Sequence, residues 1–107
     1  MRPEVQQLID NYYDKDRHIF NYFKNYMSCY IRLDDVVVIG PLHKEPREWS
    51  GAHIFKSMIC VDMFIKGGGS YHHVIKEGRD IEITQIDWNF YEALVECWKQ
   101  CKEIKPE

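Results

Sequence analysis

Two adjacent histidines, His72 and His73, lie between a glycine run at residues 67–69 and a second glycine-containing turn at residues 77–80. Histidine is the side chain that most often binds metal ions or transfers protons near neutral pH. Successive side chains of a β-strand point to opposite faces, so neighbouring imidazoles of a regular strand cannot reach one ion. We therefore expect two strand residues in different environments and no shared metal site.

Asp62 and Cys60, on the strand before the glycine run, are the candidate partner groups. A turn centred on its glycines sets Ile65 opposite His72 and places His73 diagonal to Asp62 on the polar sheet face. A carboxylate-oriented imidazole is the arrangement of a general base, and a thiol on the same face would supply a nucleophile. The spacing does not place the Cys60 thiol directly beside His73. The favoured interpretation is therefore a half-exposed histidine next to a carboxylate.

The cysteines show no pattern typical of a metal site. Cys97 and Cys101 are four residues apart on a predicted helix and share its apolar seam, as small core residues do. None of the spacings is the short knuckle of structural zinc sites. The N-terminus turns polar and charged at once, and no apolar run reaches the ~18 residues that span a bilayer. We expect reduced thiols in a cytoplasmic protein that contacts no membrane and holds no metal or cofactor.

The aromatic content is unusually high for a small domain, with seven tyrosines, five phenylalanines and three tryptophans. Tyrosine and tryptophan are enriched at the centres of protein interfaces, although an aromatic-rich core explains the same composition. At about 100° per residue, the apolar seams of the predicted C-terminal helix cover roughly 200° of its circumference, more than one sheet buries. The predicted interface residues are Trp88, Tyr91, Val95 and Trp98, with Trp49 second.

The N-terminal half of the chain predicts a long helix, a strand and a loop. Apolar residues at three- and four-residue spacing indicate a helix over residues 4–27. The β-branched run Val36–Ile39 indicates a buried strand that stops at Gly40 and Pro41. Residues 40–52 carry two prolines and two glycines with mixed charge, a composition typical of a surface loop.

The C-terminal half predicts a meander followed by a helix. Residues 53–66 alternate between apolar and polar side chains, and the turns at 67–70 and 77–80 connect them to two further strands. The last helix is expected to run from an N-cap at Asp87 to about Ile104. The whole chain, residues 1–107, is therefore predicted to be one α+β domain of order α–β–β–β–β–α. Its mainly antiparallel, four-stranded sheet is covered by both helices.

The charge pattern disfavours one class of partner. The net charge is −3 and the charges of both signs are interspersed, whereas nucleic-acid-binding domains usually carry a basic stripe. The sequence favours a non-enzymatic interaction protein, an inhibitor or adaptor or a self-associating regulator, which binds a protein partner or a second copy. Inhibitors of host proteins from phages and mobile elements have this character. The alternative hypothesis is a small-molecule-binding protein or hydrolase that uses the polar sheet face around Asp62 and His73.

Overall fold

The computed structural model describes residues 1–24, 27–49 and 54–104. Within these ranges the chain forms two separate three-stranded antiparallel sheets and two helices. The first sheet has the order β1-β2-β3 and the second has the order β4-β5-β6. The elements are α1 (Pro3–Tyr12), β1 (Tyr13–Asp14), β2 (Ile19–Lys24), β3 (Met27–Arg32), a 3-10 turn (Leu33–Asp35), β4 (Val36–Trp49), β5 (Ile54–Ile65), β6 (Ser70–Gly78) and α2 (Gln85–Ile104).

The expected long N-terminal helix over residues 4–27 is wrong, because α1 has only 10 residues. After α1 the chain forms a polar turn in place of the expected helix. The Asp14 carboxylate accepts hydrogen bonds from the backbone N–H groups of Asp16 and Arg17, at 3.0 and 3.1 Å. Such local bonds compete with helical hydrogen bonds. His18 then takes a left-handed conformation with φ 57°, which no helix continues through. The aromatic sequence that follows suits strands equally well, and it forms β2 and β3.

The prediction of a single four-stranded sheet is also wrong. The prediction of a loop over residues 40–52 is wrong for residues 40–49, which belong to β4. Strand β4 continues through Gly40 and Pro41 because the register shifts between Ile39 and Leu42, and such irregularities accommodate an extra residue. Prolines are tolerated there because β4 lies at the edge of its sheet. Residues 50–52 lie outside the described ranges. The expected third strand of the meander, at residues 81–84, is not a strand.

One cluster of buried apolar side chains contains members from both helices and both sheets. Helix α2 contributes its fully buried seam to this cluster, and Cys97 and Cys101 belong to that seam, which confirms their predicted core position. The cluster comprises Val5, Ile9, Phe20, Tyr22, Ile31, Leu33, Val36, Leu42, Ile59, Val61, Met63, Ala93, Leu94, Cys97 and Cys101.

Helix α2 is anchored to β4 by two aromatic side chains. The Tyr91 hydroxyl donates to the Gly40 carbonyl oxygen at 2.6 Å, and the Trp98 indole N–H donates to the Val36 carbonyl oxygen at 2.9 Å. Because β4 has only β5 as a strand neighbour among the described residues, these bonds satisfy carbonyl groups that no strand reaches.

The start of α2 differs from the expected N-cap at Asp87. Thr84 is the capping residue, since its hydroxyl oxygen accepts the Asp87 backbone N–H at 3.4 Å. The Asp87 carboxylate in turn accepts the Thr84 backbone N–H at 2.8 Å, so the pair forms a reciprocal capping box. The same carboxylate is buried and lies 2.7 Å from the Lys76 ammonium of β6, which ties the helix to the second sheet.

The anchor between Tyr91 and Gly40 predicts a measurable stability loss. In Tyr91→Phe the ring remains but the Gly40 carbonyl loses its donor, so we expect the free energy of unfolding to fall by about 1 kcal/mol. Urea denaturation measures this change. Trp88→Phe on the same helix is the matched control, because Trp88 is exposed and forms no hydrogen bond to β4 within the described residues. Equal losses in both variants would contradict the anchor.

The buried seam also predicts a loss of stability in alkali. Burial raises the pKa of the Cys97 thiol to about 12 from 9.0. Between these pH values the folded chain keeps a proton that the unfolded chain has released, so the free energy of unfolding falls as pH rises. We expect Cys97→Ala to reduce the slope of this dependence in urea denaturation over about pH 8 to 11, because the removed thiol no longer contributes to it. An unaltered slope in Cys97→Ala would contradict the assignment.

Candidate functional site

Four side chains capable of binding a metal converge on the outer face of the second sheet. His43 and Glu45 come from β4, Asp62 from β5 and His72 from β6. Residues two apart on a strand share a face, which brings His43 and Glu45 together. The strand register places His43 beside Cys60 and Asp62 opposite His72. We call these four residues, His43, Glu45, Asp62 and His72, the His–carboxylate cluster.

The cluster is held together by close contacts between imidazole nitrogens and carboxylate oxygens. His43 Nε2 lies 3.0 Å from Glu45 Oε1 and 3.7 Å from Asp62 Oδ1. His72 Nδ1 contacts Asp62 Oδ1, and its Nε2 lies 3.7 Å from Glu45 Oε1. The two imidazole rings meet edge to face, with their centroids 5.6 Å apart. Each histidine therefore faces both carboxylates.

The backbone of β4 at Gly40 and Pro41 positions two residues of the cluster. His43 Nδ1 lies 3.3 Å from the Pro41 carbonyl oxygen, to which it donates, so Nε2 is the nitrogen directed at the carboxylates. Histidines that bind metals usually have their second nitrogen fixed in this way. A Cβ atom at Gly40 would lie 2.9 Å from the Asp62 Cβ, closer than real side chains approach. The glycine therefore gives Asp62 the room to reach the cluster.

The charges of the cluster favour a cation among the carboxylates. The hydrogen bond that His43 donates to the Glu45 carboxylate raises the pKa of His43 above its ordinary value. Burial opposes this shift, and the Pro41 carbonyl and the Asp62 charge add to it. A proton on His43 is thus one way to balance the negative charge at this place. A divalent ion is another, since metal binding releases the protons held by its ligands.

The spacing of the donor atoms fits a transition-metal ion. Ligand atoms of His43, Asp62 and His72 all lie within 4.8 Å of one another. Bonds of about 2.0 Å at a tetrahedral angle set nitrogen and oxygen ligands about 3.3 Å apart. The distances from His43 Nε2 to the two carboxylates, 3.0 and 3.7 Å, lie on either side of that value. Small side-chain movements therefore suffice to close the site around an ion.

A buried thiol lies at the inner edge of the cluster. Cys60 is fully buried, and its sulfur forms a group with His43 and Glu45 whose ligand atoms also lie within 4.8 Å of one another. On the solvent side, 56% of the His72 side chain is exposed, against 25% for Asp62. An ion in the cluster would therefore have a polar opening toward solvent and a soft donor beneath it.

His73 lies on the other face of the sheet, where its Nε2 contacts the Tyr22 hydroxyl of β2. The prediction that His72 and His73 face opposite sides is confirmed, but the predicted assignment of the two faces is wrong. His72 pairs with Asp62 and not with Ile65, a shift of three residues, and any odd shift exchanges the faces. The tight turn through Gly67 and Gly68, both with φ near +90°, sets this register.

The predicted interface residues have unequal surroundings. Trp88 is 42% exposed, whereas Tyr91 and Trp98 are half-buried and donate to β4. Val95 is half-buried on the same helix. Trp49 is the last residue of β4, and its side chain lies outside the described structure.

Comparison of the chain with protein-family models, with curated proteins and with solved structures found no match. No helix among the described residues is both long and apolar enough to cross a membrane. The chemistry of the His–carboxylate cluster therefore has to be inferred from its own geometry.

Proposed function

We propose that this protein binds a divalent transition-metal ion through the His–carboxylate cluster. His43, Asp62 and His72 supply the ligand atoms, and Glu45 supplies a second carboxylate beside both imidazoles. The observation that carries the proposal is the convergence of two imidazoles and two carboxylates from three adjacent strands at distances that suit metal ligands. This places the proposed site on the polar sheet face, with His72 in the position that sequence reasoning gave to His73.

The ligand types favour a particular class of ion. Imidazole nitrogen suits zinc and its neighbours in the transition series, whereas magnesium and calcium prefer oxygen ligands alone. Sites with three protein ligands and an open position are typical of zinc that binds or activates another molecule. The exposed side of His72 supplies such an opening, which supports small-molecule binding at the ion. A hydrolase would use the same site, with the ion activating a bound water molecule.

Zinc binding tests the proposal directly. We expect isothermal titration of the purified chain with Zn²⁺ to show an equivalent of bound ion that His72→Ala and Asp62→Asn weaken by at least about 10-fold, because each removes a ligand. His73→Gln is the matched control, since His73 neighbours His72 in sequence but faces the other side. Magnesium at the same concentration should give no comparable heat.

Gly40→Ala tests the same site without removing a ligand. Because the added Cβ would meet Asp62 at 2.9 Å, we expect zinc affinity to fall by about 10-fold to 100-fold, as for other changes that displace a metal ligand. Far-ultraviolet circular dichroism checks that each variant is folded. Equal affinity in the wild type, His72→Ala and Asp62→Asn would overturn the proposal.

A second candidate function is the interaction module that the sequence favoured, an inhibitor or adaptor or a self-associating regulator of the phage or mobile-element type. The supporting observation is that Ile86 and Trp88, at the start of α2, are 77% and 42% exposed. Large apolar side chains exposed to solvent in the first turn of α2 favour contact with another protein. All four cysteines, each within the described ranges, are thiols, which supports a reducing location such as the cytoplasm.

Self-association is the form of this second proposal that the chain alone can test. We expect a concentration-dependent dimer in sedimentation velocity that Trp88→Glu dissociates, because a charge is costly to bury in an apolar contact. Trp88 is the better probe than Trp98, whose indole anchors α2 to β4. Tyr30→Glu, at an exposed aromatic residue of β3, is the control and should leave the dimer intact. A monomer at every concentration, or equal loss in Tyr30→Glu, would contradict self-association through α2.

A further inference from the structure

A second group of potential metal ligands lies where three elements meet, away from the outer face of the second sheet. His18 ends the turn between β1 and β2, Asp34 lies in the 3-10 turn, and Cys101 lies in the last turns of α2. Their ligand atoms, one nitrogen, one oxygen and one sulfur, all lie within 4.8 Å of one another. No residue is shared with the His–carboxylate cluster.

His18 carries an observation that points to a ligand. Its Nδ1 atom is buried, and no described residue forms a hydrogen bond with it. Buried polar atoms are nearly always paired, so an orphaned imidazole nitrogen needs an explanation. The backbone of His18 is firmly placed, since its carbonyl oxygen accepts the Leu33 backbone N–H at 2.9 Å and its φ is 57°. His18 is thus held beside the 3-10 turn, and its Nδ1 has no hydrogen-bond partner among the described residues.

The sulfur and the carboxylate already stand at the separation that a metal requires. Cys101 Sγ is fully buried and donates to Asp34 Oδ1 at 3.4 Å. Zinc bonds of about 2.3 Å to sulfur and 2.0 Å to oxygen, at a tetrahedral angle, place these two donors about 3.5 Å apart. An ion can therefore take the place of the thiol proton with little movement of either side chain.

The group also has an open side. A cleft of about 440 Å³ lies against His18 and Asp34, with Arg17, Arg32 and Asp35 among its other lining residues. Zinc sites that bind a further molecule have three protein ligands and leave the fourth position to water or a ligand. The cleft supplies room for that fourth ligand.

We propose that His18, Asp34 and Cys101 form a binding site for a thiophilic divalent ion of the zinc class. On binding, the bond between sulfur and hydrogen in Cys101 is replaced by a bond between sulfur and the metal, and the proton passes to solvent. His18 supplies an imidazole nitrogen, and Asp34 exchanges a weak thiol donor for the ion. The site is independent of the function proposed above.

Cobalt is the probe that separates the two sites, because a thiolate bound to Co²⁺ gives an intense near-ultraviolet charge-transfer band that imidazole and carboxylate ligands do not give. The full chain is titrated with Co²⁺ under anaerobic conditions with a reductant that contains no thiol. We expect the band in the wild type, its loss in Cys101→Ser, and at least about 10-fold weaker cobalt affinity in His18→Asn. Asparagine is chosen because it tolerates the left-handed backbone of residue 18.

Two controls assign the band to this site. Cys60→Ser removes the thiol beside His43, and His43→Ala with His72→Ala removes the His–carboxylate cluster; the band should persist in both. Circular dichroism establishes that each variant is folded, and His18→Asn keeps the test decisive if Cys101→Ser is not. No band in the wild type, one that disappears in Cys60→Ser, or one that is equal in Cys60→Ser and in the double variant Cys60→Ser with Cys101→Ser would overturn the proposal.

Discussion

The packing of helix α2 is the constraint on which the rest of this structure depends. Its seam of Leu94, Cys97 and Cys101 is fully buried in the one cluster that also takes side chains from α1 and both sheets. The two sheets share no strand pairing among the described residues, so apolar burial against the helix is what holds them in one core. Removal of α2 would expose the inner faces of both sheets at once.

This arrangement leaves the outer face of the second sheet available for polar groups. Along β5 the side chains of Val61 and Met63 face the core, and the alternation of a strand then directs Asp62 outward. The same alternation on β4 buries Leu42 and turns His43 and Glu45 out beside Asp62. The His–carboxylate cluster is therefore a consequence of the strand register, and the register depends on the buried face.

The sequence predicted the features that depend on local patterns. The end of α2 at Ile104, the hairpin of β5 and β6 and the opposite orientations of His72 and His73 are all confirmed. Alternation, glycine turns and helical periodicity are patterns within short windows of residues. They can therefore be recognised in one sequence without knowledge of its tertiary contacts.

The features that depend on tertiary context were not predictable in the same way. Residues 13–24 contain apolar positions that fit a helix as well as strands. The strands are favoured by the Asp14 turn and by burial of Phe20, whose ring packs against Tyr12 of α1 and Phe90 of α2. His43 and Glu45 were assigned to a loop because Gly40 and Pro41 are usual breakers of a strand. Their spacing of two residues was the available signal, and it becomes informative only once β4 is known to continue.

Gly40 shows how the fold and the candidate site are connected. Its carbonyl oxygen accepts the Tyr91 hydroxyl of α2, while its missing side chain leaves the space in which Asp62 approaches the histidines. The position of α2 on β4 and the position of Asp62 in the cluster are thus set at one residue. The residue that the sequence marks as the end of a strand is the point where the buried core meets the polar face.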